Sequence, residues 1–314
     1  MFKSRKEVKI MDMGQIINQM IVLFLMMGTG YICGKIGYID DGFSKKMTNL
    51  ILMVTTPAMI LASVSAGDTS YPKSTAFYVL GIAVATYLLL PILGVILAKV
   101  LMVPKEDFKL YVFMTIFSNI GFMGYPVVKT IFGSGAVFLA SLFNMVFSIV
   151  LYSLGVWLMD KSGTGKFNIK NIISPAMISS VVALIIFVTE WKMPSVLANT
   201  FEAIGSMTSP SAMLLIGASL STMKAKEILG EVRLYPFTVI KQILIPFAVF
   251  YLMGFFIADP TILGITTIVI AMPVGTIAVM FSNQYEGNVK LAAKGIFITT
   301  ICSFVTIPLL CMVM

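Results

Sequence analysis

Apolar residues along this chain come in long blocks, and polar residues fall between the blocks instead of alternating within them. The pattern matches neither a half-buried strand nor the one-sided stripe of a soluble amphipathic helix. About 20 apolar residues carry a helix across roughly 30 Å of hydrocarbon, and charge-free runs of that order recur, beginning with Asp12 to Lys35, Lys46 to Asp68, Lys73 to Lys99 and Lys109 to Lys129. The blocks predict ten helical spans, at 14–34, 47–66, 74–98, 108–131, 134–159, 171–189, 196–221, 232–256, 260–283 and 289–313. The expected fold class is all-α integral membrane. The first span has too long an apolar part for a signal peptide, and no small-residue cleavage site follows it.

Two of the blocks are interrupted by proline. Tyr125-Pro126-Val127 in span 4 and Met272-Pro273-Val274 in span 9 lie 147 residues apart, close to half of the 314-residue chain. Pro57 with Pro210 and Pro91 with Pro246 repeat the offset at 153 and 155 residues, and Thr56-Pro57-Ala58-Met59-Ile60-Leu61 resembles Ser209-Pro210-Ser211-Ala212-Met213-Leu214. These spacings predict a tail at 1–13, a five-helix repeat at 14–159, a linker at 160–170 and a second five-helix repeat at 171–314. An odd number of spans per repeat sends the second copy into the membrane from the opposite face, so the repeats are inverted. Broken helices in corresponding places of two repeats point to a binding site between them, because backbone freed at membrane depth must be satisfied by protein or by a water-filled cavity.

The candidate site follows. Around the first break stand Asn119, Gly121, Gly124, Tyr125 and Pro126, and around the second Met272, Pro273, Gly275 and Thr276. If the breaks cross, each offers a half-helix amino terminus whose free N–H groups and positive dipole end hold an anion. Lys241 is the one basic residue well inside a span, and an intramembrane charge is costly enough to mark a ligand contact. Gln242 beside it and Asn144 in span 5 can add orienting hydrogen bonds. Lys129 reads as an interfacial lysine near the end of span 4, and Glu202 is the one carboxylate near membrane depth.

Composition narrows the chemistry. The chain is 58% hydrophobic and 11% charged, with a mean hydropathy of +0.97. Its net charge of +8 sits in short connections between spans, where it sets orientation and implies no nucleic acid. The loops after the odd-numbered spans hold fourteen basic residues, from Lys35 to Lys294, which predicts that side to be cytoplasmic and both termini extracytoplasmic in the cell membrane. Lys3, Arg5, Lys6 and Lys9 before the first span oppose that placement, which Met11 or Met13 as the true start would resolve. There is no histidine, no Gly-rich phosphate loop and no Cys-x-x-Cys, so an enzyme, a metal site and an organic cofactor all lack support. Cys33, Cys302 and Cys311 lie in or beside spans and imply no disulfide framework.

The segment Asn119-Ile120-Gly121-Phe122-Met123-Gly124-Tyr125-Pro126, followed by Phe132-Gly133 and by the later Met272-Pro273 break, resembles the auxin efflux carrier family, which includes bacterial organic-acid or malate permeases. The likeness runs over nearly the whole chain. It implies that spans 1, 2, 6 and 7 form a scaffold that often supports a homodimer, that spans 3–5 and 8–10 form a mobile transport unit, and that the crossing at Pro126 and Pro273 is the substrate site. The short middle linker departs from the long hydrophilic loop of many plant members, so a small carboxylate is expected ahead of auxin. The related bile-acid sodium symporters place acidic and amide groups at the crossing, where this chain has Asn119 and no carboxylate.

The expected function is a secondary carrier exporting small organic anions across the bilayer, driven by the membrane potential. A cation-coupled symporter using Glu202, a non-transporting receptor or scaffold, and a channel are the rival readings.

Overall fold

The computed structural model describes residues 13–65, 72–160, 174–222 and 230–314. The basic residues of the amino-terminal tail, the Lys161 to Lys170 stretch of the linker, and Lys224 and Lys226 lie outside the described residues. Among those described, the chain is helical, and the one β-type contact is an isolated antiparallel bridge between Ser118 and Val274. The helices are α1 (Met13–Lys35), α2 (Gly42–Val64), α3 (Ser74–Val100), α4 (Lys105–Ile116), α5 (Ile120–Phe132), α6 (Gly135–Met159) and α7 (Pro175–Thr189). They continue with α8 (Ser195–Ser221), α9 (Leu234–Met253), α10 (Pro260–Ala271), α11 (Ile277–Gln284) and α12 (Val289–Val313). Six of them, α2, α3, α6, α8, α9 and α12, are long and apolar enough to cross a membrane.

Helix starts follow local chemistry. Asp40 accepts from the Phe43 N–H ahead of α2, Ser174 from Met177 ahead of α7, Asp259 from Thr261 and Ile262 ahead of α10, and Asn288 from Leu291 ahead of α12. Each side-chain oxygen satisfies donors that the first turn leaves without an internal partner. Pro175 and Pro260 occupy the first helical position, where a missing N–H costs nothing.

Three internal prolines share one device. Pro57, Pro126 and Pro246 each stand two residues beyond a five-residue π turn, Ile51–Thr55, Ile120–Gly124 and Ile240–Leu244. The wide turn lets Thr56, Tyr125 and Ile245 donate to the carbonyl five residues back, so the chain passes the position where proline has no N–H and its ring would crowd the preceding turn. Pro91 and Pro308 sit inside α3 and α12 without such a turn.

α1 lies along α8 and also touches α12, and α2 packs against α7, α6 and the first part of α8. α7 also packs on α6, α3 on α4 and α6, α9 on α10 and α12, and α11 on α12. The α1–α8 contact is backbone to backbone: a Cβ on Gly217 would lie 1.9 Å from the Met27 carbonyl oxygen, and one on Gly30 would lie 2.2 Å from that of Leu214. Small residues are what allow helices to approach this closely where lipid removes a hydrophobic drive for association. The outward faces carry Leu25, Ile32, Leu88, Ile92, Phe255 and Phe256 in exposed positions, as a lipid-facing surface requires.

Candidate functional site

Between α4 and α5 the helix stops for Phe117 to Asn119, and between α10 and α11 it stops for Met272 to Thr276. The two interruptions lie against each other. Asn119 donates its N–H to the Pro273 carbonyl at 2.8 Å and Gly275 donates to the Phe117 carbonyl at 2.9 Å, closing the Ser118–Val274 bridge. Proline fits here because its carbonyl is the group in use and its absent N–H is not needed. Gly275 fits because a Cβ would lie 3.0 Å from the Phe117 carbonyl oxygen and 3.2 Å from that of Ser118.

Lys241 enters from a third helix. The π turn of α9 carries it to the crossing, where its side chain is 1% exposed and its ammonium donates to the Met272 carbonyl at 2.6 Å and to Ser118 Oγ at 3.0 Å. It forms no ion pair among the described residues, and its amino group is held by two neutral oxygens. Keeping it charged there is several kcal/mol more costly than pairing it with a carboxylate.

A fourth helix closes the ring. Thr299 of α12 accepts from the Val274 N–H at 3.1 Å while its own hydroxyl donates to the Gly295 carbonyl at 2.7 Å. Gln242 donates to the Thr299 carbonyl at 2.9 Å, and its side-chain oxygen is buried without a partner. Gln242 thus steadies the strut instead of reaching the breaks. Replacing Thr299 by valine strands the buried Val274 N–H, which costs about 1–3 kcal/mol. Thermal unfolding in detergent is expected to drop for Thr299→Val and to stay near wild type for Thr299→Ser.

Asn119 caps α5: its side-chain oxygen accepts from the Phe122 N–H at 3.3 Å, and its carbonyl accepts from Gly124 at 2.9 Å. The N–H groups of Gly121 and Met123 at this helix start, and of Thr276 and Ile277 at the start of α11, take no part in the hydrogen bonds of the crossing. Two helix amino termini therefore begin at the crossing whose Ser118 and Met272 hold the lysine.

The structure gathers most of the residues expected from sequence. Asn119, Gly124, Pro126, Met272, Pro273, Gly275 and Lys241 are buried at the breaks or beside them, and Gly121 and Thr276 are partly open, with free space where a Cβ of Gly121 would project. Tyr125 is fully buried, with its hydroxyl unpartnered. Asn144 lies on α6, where its carbonyl accepts from Ser148, and its side chain makes no hydrogen bond to the breaks. Ser118 and Thr299 are the residues that spacing did not single out. Serine and threonine are frequent in membrane helices and usually bond their own backbone, so nothing in the sequence distinguishes these two.

Lys129 and Glu202 meet outside the crossing, at 3.9 Å. They border a shallow surface cleft with Ser63, Ser134 and Ser206 also in its wall. The cleft is separate from the crossing, whose backbones are in direct contact.

An all-helical chain with several membrane-length helices, in which two broken segments pair around a buried lysine, is built as a multi-pass membrane transport protein. The chain belongs to the membrane transport protein family, the auxin efflux carrier family: the family model matches residues 15–166 and 161–311. It is 25% identical over 301 residues to an uncharacterized transporter of Methanocaldococcus jannaschii, covering 92% of this chain and 96% of that protein. A second uncharacterized transporter, from Methanothermobacter thermautotrophicus, is 22% identical over 301 residues, covering 95% and 97%.

Proposed function

We propose that this protein is a secondary carrier that exports a small organic anion by alternating access at the paired breaks. In this reading it crosses the cell membrane ten times as two inverted five-helix repeats, with both termini extracytoplasmic. The α1, α2, α7 and α8 group is the scaffold, through which a homodimer would form, and the remaining helices are the moving unit.

The observation that carries the proposal is Lys241, fully buried and held by a carbonyl and a hydroxyl instead of a carboxylate at a crossing where two helices begin. A carboxylate placed there gains a charge-assisted hydrogen bond and two favourable dipole ends. It also neutralises a charge that otherwise sits uncompensated.

Export needs no coupled ion, because one elementary charge moving through 100 mV gains about 2.3 kcal/mol, roughly a fiftyfold gradient. Counterflow of labelled malate into proteoliposomes loaded with unlabelled malate, without sodium, tests the reading. Saturable uptake competed by other small carboxylates is the expected outcome. Uptake that requires a sodium gradient would replace the uniporter with a symporter, and binding without counterflow would favour a receptor.

A further inference from the structure

Lys241 meets two helix ends of the same polarity. α4 ends at Ile116 and α10 at Ala271, and the oxygens that hold the amino group, Ser118 Oγ at 3.0 Å and the Met272 carbonyl at 2.6 Å, lie within two residues of those ends. The last carbonyls of a helix have no partner inside it and give that end roughly half a negative charge. Two such ends therefore converge on one ammonium. The hydroxyl is oriented to receive it: Ser118 Oγ donates its own hydrogen to the Ile270 carbonyl in the last turn of α10 at 3.4 Å, which leaves its lone pairs for a lysine that has donors only.

The frame around these oxygens does not depend on the lysine. The bridge that brings Ser118 to Val274 is closed by backbone groups, Asn119 to Pro273 and Gly275 to Phe117, whereas Lys241 arrives from the π turn of α9. The oxygens recognise positive charge and hydrogen-bond donors, and neither requires a covalent link to α9. Because they offer partial charges in place of a carboxylate, they hold a cation without cancelling it.

We infer that the ends of α4 and α10 form a site for a small monovalent cation, and that Lys241 fills it with an ammonium tethered to α9. The cation then belongs to the protein, so no coupled ion has to be drawn from solution before an anion binds beside it. That consequence rests on the organic-anion reading of the crossing; the cation site does not.

The test vacates the site and offers it free cations. Lys241→Ala removes the amino group and most of its stem, and n-propylammonium, protonated at pH 7 like the lysine, supplies the missing carbons and charge. In nanodiscs without malate, n-propylammonium and ammonium are expected to raise the melting temperature of Lys241→Ala by several degrees at saturating concentration, as a ligand that binds only the folded state does. Neutral n-propanol should not. Wild type and Lys241→Met, in which a side chain occupies the space, should show no shift. Adding Ser118→Ala to Lys241→Ala should weaken the cation effect about tenfold, the scale of one hydrogen bond to a charged group. If the emptied variant does not survive extraction, its folded yield with the amine present or with propanol present gives the same comparison. No response to either cation, an equal response to propanol, or an equal response in wild type overturns the site. Labelled malate binding to the same samples separates the two claims. Stabilisation by cations without restored malate binding keeps the cation site and removes the anion reading, whereas malate binding by wild type with no cation response in Lys241→Ala keeps the carrier and removes the site.

Discussion

Lys241→Met is expected to abolish carboxylate binding at the crossing while leaving the protein folded. The lysine side chain is buried, and methionine fills most of its space. Removing an unpaired buried ammonium relieves its desolvation, which offsets the cost of leaving the Met272 carbonyl and Ser118 hydroxyl without that donor, so the melting temperature in detergent should stay near wild type. Binding should respond in the opposite sense. Loss of one partner from a buried, hydrogen-bonded charge pair costs about 2–5 kcal/mol, which corresponds to a thirtyfold or greater loss of affinity. Lys241→Arg separates charge from shape: it keeps the charge, but its planar fork does not match the Met272 carbonyl and Ser118 hydroxyl that now hold the ammonium. Equilibrium binding of labelled malate to protein in nanodiscs checks both variants. Affinity unchanged in Lys241→Met would remove the residue from the site.

The second large effect is expected from Gly275→Val. A Cβ at this position already meets the Phe117 carbonyl at 3.0 Å, and that atom is backbone, which cannot swing aside as a side chain would. The γ-methyl groups of valine would force the segments apart and break the hydrogen bonds from Gly275 to Phe117 and from Asn119 to Pro273. Overpacking at about 1–3 kcal/mol and two lost hydrogen bonds at about 1 kcal/mol each sum to several kcal/mol. The expected result is a lower melting temperature together with loss of counterflow. Gly121→Ala supplies the contrast, since nothing lies within 4 Å of its Cβ position, and its melting temperature should stay near wild type. Equal destabilisation by the two substitutions would mean that the breaks do not pack as described.

Much of this site was readable from the chain because its parts violate the rules of their surroundings. Proline and glycine inside an apolar block, and one lysine deep in a span, are visible without knowing what they touch. Their half-chain spacing suggested that the two breaks belong together, and the Asn119–Pro273 and Phe117–Gly275 hydrogen bonds give that pairing a physical form. Other parts were hidden for definite reasons. Ser118 and Thr299 look like any hydroxyl in a membrane helix until the partner backbone is in place. Gln242 and Asn144 have similar hydrogen-bonding chemistry, yet Gln242 braces Thr299 while only the Asn144 carbonyl is engaged, by Ser148 of its own helix, a difference that only the packed neighbours decide. The π turns ahead of Pro57, Pro126 and Pro246 could not be told from the uninterrupted helix around Pro91, since proline alone does not specify how the preceding turn is relieved. Lys129 and Glu202 lie 73 residues apart in sequence, and no local pattern connects them.

The central claim is that a small organic anion crosses the membrane against Lys241 at the paired breaks. Its most direct measurement is the current recorded on a solid-supported membrane carrying wild-type protein or Lys241→Met, after concentration jumps of malate and other small carboxylates in sodium-free buffer. The account predicts saturable movement of negative charge in wild type and none in Lys241→Met. Equal currents from the two proteins, or wild-type current that starts only when sodium is added, would contradict it.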